Sequence, residues 1–445
     1  MKIIIIGGVA AGMSAASKIK RISKETEVVV YEKGSFLSYG ACGLPYYVSG
    51  LNDDYKKMIA RTEEQFVNAG IEIHMNCEVV KVIPEAKNVF VRDLNTGKMF
   101  TDHYDKLMIA TGAEAIVPNM PGTNFKGVHI LKSLEDGFRM KETVNSKHVR
   151  NVVVIGGGYI GIEVAETLNE MGKDVTVIEF ADRILKPFDD EIEKIIREHL
   201  LSKNIHLNLS EKMEELLGND QGEVTGVRTD RSYYEADMVV LALGIRPCTK
   251  FMQGTGAAML KNGALIIDRE MRTNIPDIYS AGDCATVYHL VEEDNTYIAL
   301  GTTANKCGRI AGENMLGNHI KFAGTLGSAA IKAGELEAAR TGLSESTVKE
   351  LNIDYTTAFV QTLDHAPYYP APTPIWIKII CEKRTRKILG AQAVGYKGAV
   401  LRIDAFAAAI TGKMTASELG MTDFCYAPPF AGVWDAINVA SNAVK

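Results

Sequence analysis

The chain has no Cys-x-x-Cys pair, no block of basic residues and no apolar run of about eighteen residues, and each absence removes a class of function. Its seven cysteines, at 42, 77, 248, 284, 307, 381 and 425, are odd in number and unpaired in spacing, which excludes a secreted disulfide framework and a zinc knuckle. A formal charge of −6 with only 7% aromatic residues excludes a general nucleic-acid surface. The apolar start is broken by a glycine turn after Ile6, so it is too short to span a bilayer. The chain is expected to be cytoplasmic, with no metal, membrane or nucleic-acid partner. What is present is ordinary for a soluble globular protein: 445 residues, 46% hydrophobic and 23% charged, enough for two or three domains with full cores.

Two glycine loops stand out. Gly7-Gly8-Val9-Ala10-Ala11-Gly12 follows the apolar run from Lys2 to Ile6, and Gly156-Gly157-Gly158-Tyr159-Ile160-Gly161 follows the run from Val152 to Ile155. Each reads as a strand, a tight turn and a helix start, so backbone N–H groups and the helix dipole can face a pyrophosphate. Each is followed by a β-rich run ending in an acid: Val28 to Tyr31 then Glu32, with Lys33 beside it, and Val175 to Ile178 then Glu179. The acids lie 20 and 18 residues past the last glycine, the distance at which a carboxylate can accept from an adenosine ribose. Glycines after a strand also close ordinary turns, and Val9 departs from the pattern where backbone approaches phosphate. Two matched sets of strand, loop, helix and acid nevertheless imply two dinucleotides, with electron transfer between them.

Cys42 lies in Ser38-Tyr39-Gly40-Ala41-Cys42-Gly43-Leu44-Pro45, on the chain leaving the first loop unit. If it starts a helix, the N-terminal dipole would stabilise a thiolate. Most of the other cysteines are expected to be buried small side chains. Lys106 to Ile109 then Ala110-Thr111-Gly112 reads as a strand meeting a close turn, and Met238 to Leu243 then Gly244-Ile245-Arg246-Pro247 repeats the theme. Ile278 to Asp283 reads as a buried strand followed by a helix through Ala285, where Asp283 either caps the helix or contacts a cofactor.

The ordered set GGVAAG, SYGACGLP, ATG, GGGYIG, GIRP and SAGDC resembles the flavin-dependent pyridine nucleotide–disulfide oxidoreductases, in the branch with a single redox cysteine. That branch holds coenzyme A disulfide reductases, NADH oxidases and NADH peroxidases. The resemblance implies an α/β fold of two Rossmann-like dinucleotide-binding domains, for FAD and NAD, with an α+β C-terminal dimerisation domain. It places an FAD-binding domain at 1–110 and 246–323, an inserted NAD(P)H-binding domain at 111–245 and the dimerisation domain at 324–445, in a homodimer. FAD is implied on the first loop, with contacts from Glu32, Lys33, Ala110, Thr111, Gly112 and Asp283. NADH, favoured over NADPH, is implied on the second, with Glu179 reading its ribose, Glu163 positioning the nicotinamide and Gly244 closing the turn. No cysteine lies within five residues of Cys42 on either side, which excludes an internal CxxxxC disulfide. Cys42 is then implied to carry a mixed disulfide with coenzyme A, or a sulfenic acid.

The last segment reads as strands at 354–361, 374–381 and 387–394 with an amphipathic helix at 399–411. Its tyrosine and proline clusters suit packing. By resemblance Tyr426, and one of Tyr368 and Tyr369, instead reach the neighbouring subunit's cysteine as proton donors. On the helix after the first loop, Ser14, Lys18 and Arg21 share one face. This stripe reads either as a solvated face or, with Ser38 and Tyr39, as a coenzyme A site. The family's oxidases and peroxidases place a histidine where Ala10 stands, so the resemblance favours a small-molecule disulfide, most of all coenzyme A disulfide, over oxygen reduced at the flavin. Ala41 in place of asparagine, and no lysine in 67–70, depart from the coenzyme A pattern.

Overall fold

The computed structural model describes residues 1–445, which group into two compact units. The first comprises Met1–Ile116, Lys132–Gly137 and Gly244–Thr325. Its main sheet is parallel and five-stranded, in the order Ile278–Ser280, Lys106–Ile109, Lys2–Ile6, Glu27–Tyr31 and Glu72–His74. Ile3, Ile4 and Ile5 are fully buried, as a central strand covered on both faces requires, so the run shows no polar alternation. Helix Ala10–Ile22 follows the first strand and buries Ala11, Ala15, Ala16 and Ile19. Those small residues let helix Gly301–Asn314 cross closely: a Cβ on Gly308 would lie 2.3 Å from the Ala11 carbonyl oxygen. An antiparallel sheet of Cys77–Ile83, Asn88–Asp93 and Met99–His103 precedes the strand at 106.

The second unit comprises Val117–Leu131, Phe138–Leu243 and Leu326–Lys445. It repeats the parallel pattern, in the order His206–Leu209, Asp174–Glu179, Asn151–Ile155, Met238–Leu241 and Val128–His129. Helix Tyr159–Glu170 follows the strand at 151 and buries Ile162, Val164, Ala165 and Leu168. The C-terminal part is an antiparallel sheet, in the order Ala329–Ala333, Leu336–Gly342, Ile388–Gly395, Pro374–Glu382 and Tyr355–Leu363. Helix Ala399–Thr411 packs against its strands at 336 and 388. No helix is long and apolar enough to cross a membrane.

Three local readings are corrected. The helix expected through Ala285 is absent, because Leu265 and Ala285 pair as a β-bridge and the Thr286 N–H donates to the Leu265 carbonyl at 2.9 Å. Asp283 therefore caps no helix. The strand expected to run to Leu243 stops at Leu241, since the chain turns into Gly244 at φ 98°. The C-terminal sheet has five strands rather than three. The two missed strands form a hairpin of weak, alanine-rich β-formers that turns at Gly334, φ 64°.

Candidate active site

The two glycine loops have the same construction. A Cβ on Gly7 would lie 2.2 Å from the Ala110 carbonyl oxygen, and one on Gly12 would lie 1.8 Å from that of Gly7. In the second loop a Cβ on Gly156 would lie 2.4 Å from the Ala242 carbonyl oxygen, and one on Gly161 would lie 1.9 Å from that of Gly156. The outer glycines are thus required by backbone packing. At Gly158 a Cβ meets nothing within 4 Å, which explains how Val9 occupies the matching place in the first loop.

The acids match as well. Glu32 accepts from the Gly8 and Gly34 N–H groups, both at 2.6 Å, and Glu179 accepts from Gly157 at 2.6 Å and Ala181 at 2.7 Å. Burial pushes the Glu32 carboxyl up, and the backbone donors oppose that shift. A carboxylate has about four lone-pair directions, so each acid can still accept from a ribose hydroxyl. Loops whose outer glycines admit no side chain, each beside a carboxylate held by its backbone, fit two dinucleotides.

Around the first loop, Ser38 adopts φ 49° and its N–H donates to the Gly8 carbonyl at 3.0 Å, which ties the cysteine segment to the loop. Cys42 is exposed on the 3-10 turn Ala41–Gly43 that precedes helix Leu44–Val48. That helix is five residues long, so the expected dipole support is reduced to a single turn. Tyr39 bridges to Ile59, and burial pushes its phenol up. Asp283 receives the Lys132 ammonium at 3.2 Å, a partner the sequence did not reveal. Lys33 pairs with Glu78 at 2.9 Å.

The basic stripe is narrower than expected. Lys18 pairs with Glu313 at 2.6 Å, and Ser14 donates to Asn305 at 2.7 Å. Arg21 is exposed. Arg61, which sequence reading missed, donates to Ser17 at 3.1 Å on the same helix.

In the second unit, Tyr159 packs on Phe188 with ring centroids 6.1 Å apart, and Ile160 is partly exposed. Burial, and after it Glu166, push the Glu163 carboxyl up to about 7. A recess of about 300 Å³ lined by Asn151, Asp174, His206 and Tyr233 lies at the opposite strand ends from the glycine loop. Among the tyrosines, the Tyr368 and Tyr426 hydroxyls form a hydrogen bond of 2.5 Å, whereas Tyr369 sits edge-on to His365 with centroids 5.5 Å apart. Arg402 holds both segments, donating to the Asp364 carbonyl at 2.7 Å and the Phe430 carbonyl at 3.4 Å while paired with Asp435 at 2.8 Å.

Cys77, Cys284, Cys307 and Cys381 are buried and Cys248 is half-buried. Burial pushes the thiols of Cys248 up to about 11 and of Cys307 and Cys381 up to about 12, which keeps them protonated. Cys425, next to Tyr426, is exposed, so most but not all of the cysteines other than Cys42 are withdrawn from solvent, as expected.

Residues 1–311 match the pyridine nucleotide-disulphide oxidoreductase family and residues 328–436 match its dimerisation domain. The chain is 37% identical over 445 residues to the NAD(P)H coenzyme A polysulfide/persulfide reductase of Pyrococcus horikoshii, covering 100% of this chain and 98% of that one. It is 34% identical over 444 residues to an NADH oxidase of Methanocaldococcus jannaschii, covering 99% and 98%. The crystal structure of reduced Bacillus anthracis CoADR-RHD superposes with a TM-score of 0.95 at 35% identity, covering 99% of this chain and 79% of that one. The chain belongs to the pyridine nucleotide-disulphide oxidoreductases and is a flavin-dependent enzyme that takes electrons from NAD(P)H.

Proposed function

We propose that the protein works as a homodimer that reduces a low-molecular-weight disulfide of the coenzyme A type with NADH, through the single redox cysteine Cys42. The observation that carries this reading is the exposed Cys42 thiol on a segment fastened to the first glycine loop, while the cysteines at 77, 248, 284, 307 and 381 are withdrawn from solvent. The loop 7–12 with Glu32, Ala110, Thr111, Gly112 and Asp283 would hold FAD, which when bound supplies hydride acceptance from NADH and electron delivery to sulfur. The loop 156–161 with Glu179, Glu163 and Gly244 would hold NADH. Ser14, Arg21, Ser38 and Tyr39 would contact the substrate, and the name of the Pyrococcus relative supports a coenzyme A thiol.

The Cys42 thiolate attacks one sulfur of the disulfide; the S–S bond breaks, a mixed disulfide forms on Cys42, and the other sulfur leaves as a thiolate. A tyrosine hydroxyl protonates that thiolate. The hydrogen bond with Tyr426 pushes the Tyr368 phenol up, so Tyr368 is protonated at neutral pH and can donate. Two electrons from NADH then cleave the mixed disulfide, releasing the second thiol. The balance is NADH, one proton and one disulfide in, NAD⁺ and two thiols out.

Ala10 stands where an acid or base would assist oxygen chemistry, which favours the disulfide over oxygen. The match at 328–436 supports a dimer in which Tyr426 serves the partner's site. Heterodimers of Cys42→Ser and Tyr426→Phe subunits should recover one working site from two inactive parents. A fully active Tyr426→Phe homodimer contradicts the shared site, and steady NADH-dependent oxygen consumption equal to disulfide turnover supports the oxidase reading instead.

A further inference from the structure

Helix Ala399–Thr411 begins with a residue that its own electrostatics disfavour. Its first turn holds no acid and carries Arg402, a cation at the positive end of the helix dipole. The Arg402 side chain is only 11% exposed, and all three of its nitrogens donate. Nε reaches both Asp435 carboxylate oxygens at 3.1 Å, and Nη2 reaches one of them at 2.8 Å. Nη2 also donates to the Asp364 carbonyl at 2.7 Å and the Phe430 carbonyl at 3.4 Å, while Nη1 donates to the Gly398 carbonyl at 3.3 Å. Asp435 is itself buried and caps helix Ala436–Asn442, accepting from the Ile437 N–H at 2.9 Å. One guanidinium thus ties a helix start to two loop segments, and those segments carry the tyrosines. Asp364 lies four residues before Tyr368, and Phe430 four residues after Tyr426.

Tyr368 and Tyr426 are 71% and 45% exposed, so burial does not place their phenols. Their segments meet in the bond between the two hydroxyls and in the Ala366 N–H, which donates to the Pro428 carbonyl at 3.3 Å. Each segment turns on itself beside that contact, through Tyr369 N–H to the Ala366 carbonyl at 3.0 Å and Phe430 N–H to the Ala427 carbonyl at 2.9 Å. We propose that Arg402 is a positioning residue for proton delivery: its planar fork fixes the spacing of the two turns, and with it the meeting of the Tyr368 and Tyr426 hydroxyls. This rests on the tyrosines acting as the proton donor, as proposed above. The residue acts through them and moves no proton itself. A lysine could keep the ion pair with Asp435, but its ammonium is a point charge without the fork that spans a carboxylate and two carbonyls at once. Positioning is thereby separable from charge compensation.

The test compares Arg402→Lys, Tyr426→Phe and the double variant, each loaded with FAD and assayed with NADH and coenzyme A disulfide. Arg402→Lys should sediment as wild type, and NADH should bleach its flavin at the wild-type rate, because the ion pair survives and hydride transfer does not use the phenols. Its kcat with the disulfide should fall about tenfold or more while KM stays within about twofold, and the solvent deuterium effect on kcat should rise as proton transfer becomes limiting. Added to Tyr426→Phe, Arg402→Lys should cost no more than about a further twofold, since the group it positions is already gone. A wild-type kcat in Arg402→Lys beside a slow Tyr426→Phe overturns the role of Arg402 alone, and so do losses that multiply in the double variant. Loss of the dimer or of flavin bleaching in Arg402→Lys also overturns it, by giving the residue a general structural role. A fully active Tyr426→Phe instead removes the tyrosine from the reaction, and with it the reading on which the proposal rests.

Discussion

On the proposed reading, coenzyme choice turns on Glu179. Two backbone donors fix its carboxylate at the end of strand Asp174–Glu179, and the nearby Arg183 is already bound to Asp190. A 2′-phosphate would meet an anion without a free cation beside it. Steady-state kinetics should give NADH a specificity constant roughly tenfold or more above NADPH, a difference of about 1.4 kcal/mol. Asp190→Asn should narrow that ratio by releasing Arg183, and a higher constant for NADPH would contradict the assignment. The outer loop glycines were legible in the sequence because backbone packing leaves no other residue type there, and both acids because they end the next strand at a fixed distance from the loop. That Tyr368 rather than Tyr369 bonds the Tyr426 hydroxyl was not, since it depends on where His365 and Arg402 place a loop whose contacts are distant in sequence. The same holds for Lys132 on Asp283 and Lys332 on Glu166, both made across long separations.

At the scale of elements, Lys378 is the most exacting contact. It is 1% exposed on strand Pro374–Glu382 and pairs with Glu345 at 2.6 Å, Glu191 at 2.7 Å and Asp189 at 3.5 Å. This joins the C-terminal sheet to the start of helix Asp190–Ser202. Burial works against the Glu345 charge, but hydrogen bonds from Lys378, Lys349 and Tyr355 hold the carboxyl down to about 2. A depressed carboxyl stabilises the fold above its ordinary value of 4.5 and loses that contribution as pH falls toward about 2. Lys378→Met should cost about 3 kcal/mol in denaturant melts at neutral pH, and the gap to wild type should shrink between those two values. A gap that widens on acidification would contradict the assignment. Such a buried lysine reads in the sequence as one polar residue in an apolar strand. The helix Ala399–Thr411, by contrast, was legible from its periodicity, and the four strands before and after the glycine loops from their apolar runs. The hairpin at 329–342 was not, because its alanines carry little β preference and its pairing comes from the strand at 388.

For the whole molecule, repetition was the strongest signal. Two strand, loop, helix and acid sets predicted two parallel sheets, and two such sheets form, each with its loop at the C-terminal end of a central strand. The account built on them is that electrons leave NADH through the flavin and reach the substrate only by way of Cys42. The most direct test is anaerobic rapid mixing of the Cys42→Ser enzyme, loaded with FAD, first with NADH and then with coenzyme A disulfide. The glycine loops do not depend on the thiol, so NADH should bleach the flavin as in wild type. Only sulfur can form the mixed disulfide, so turnover of coenzyme A disulfide should fall by about 10³-fold or more. Turnover near the wild-type rate in that variant would contradict the account.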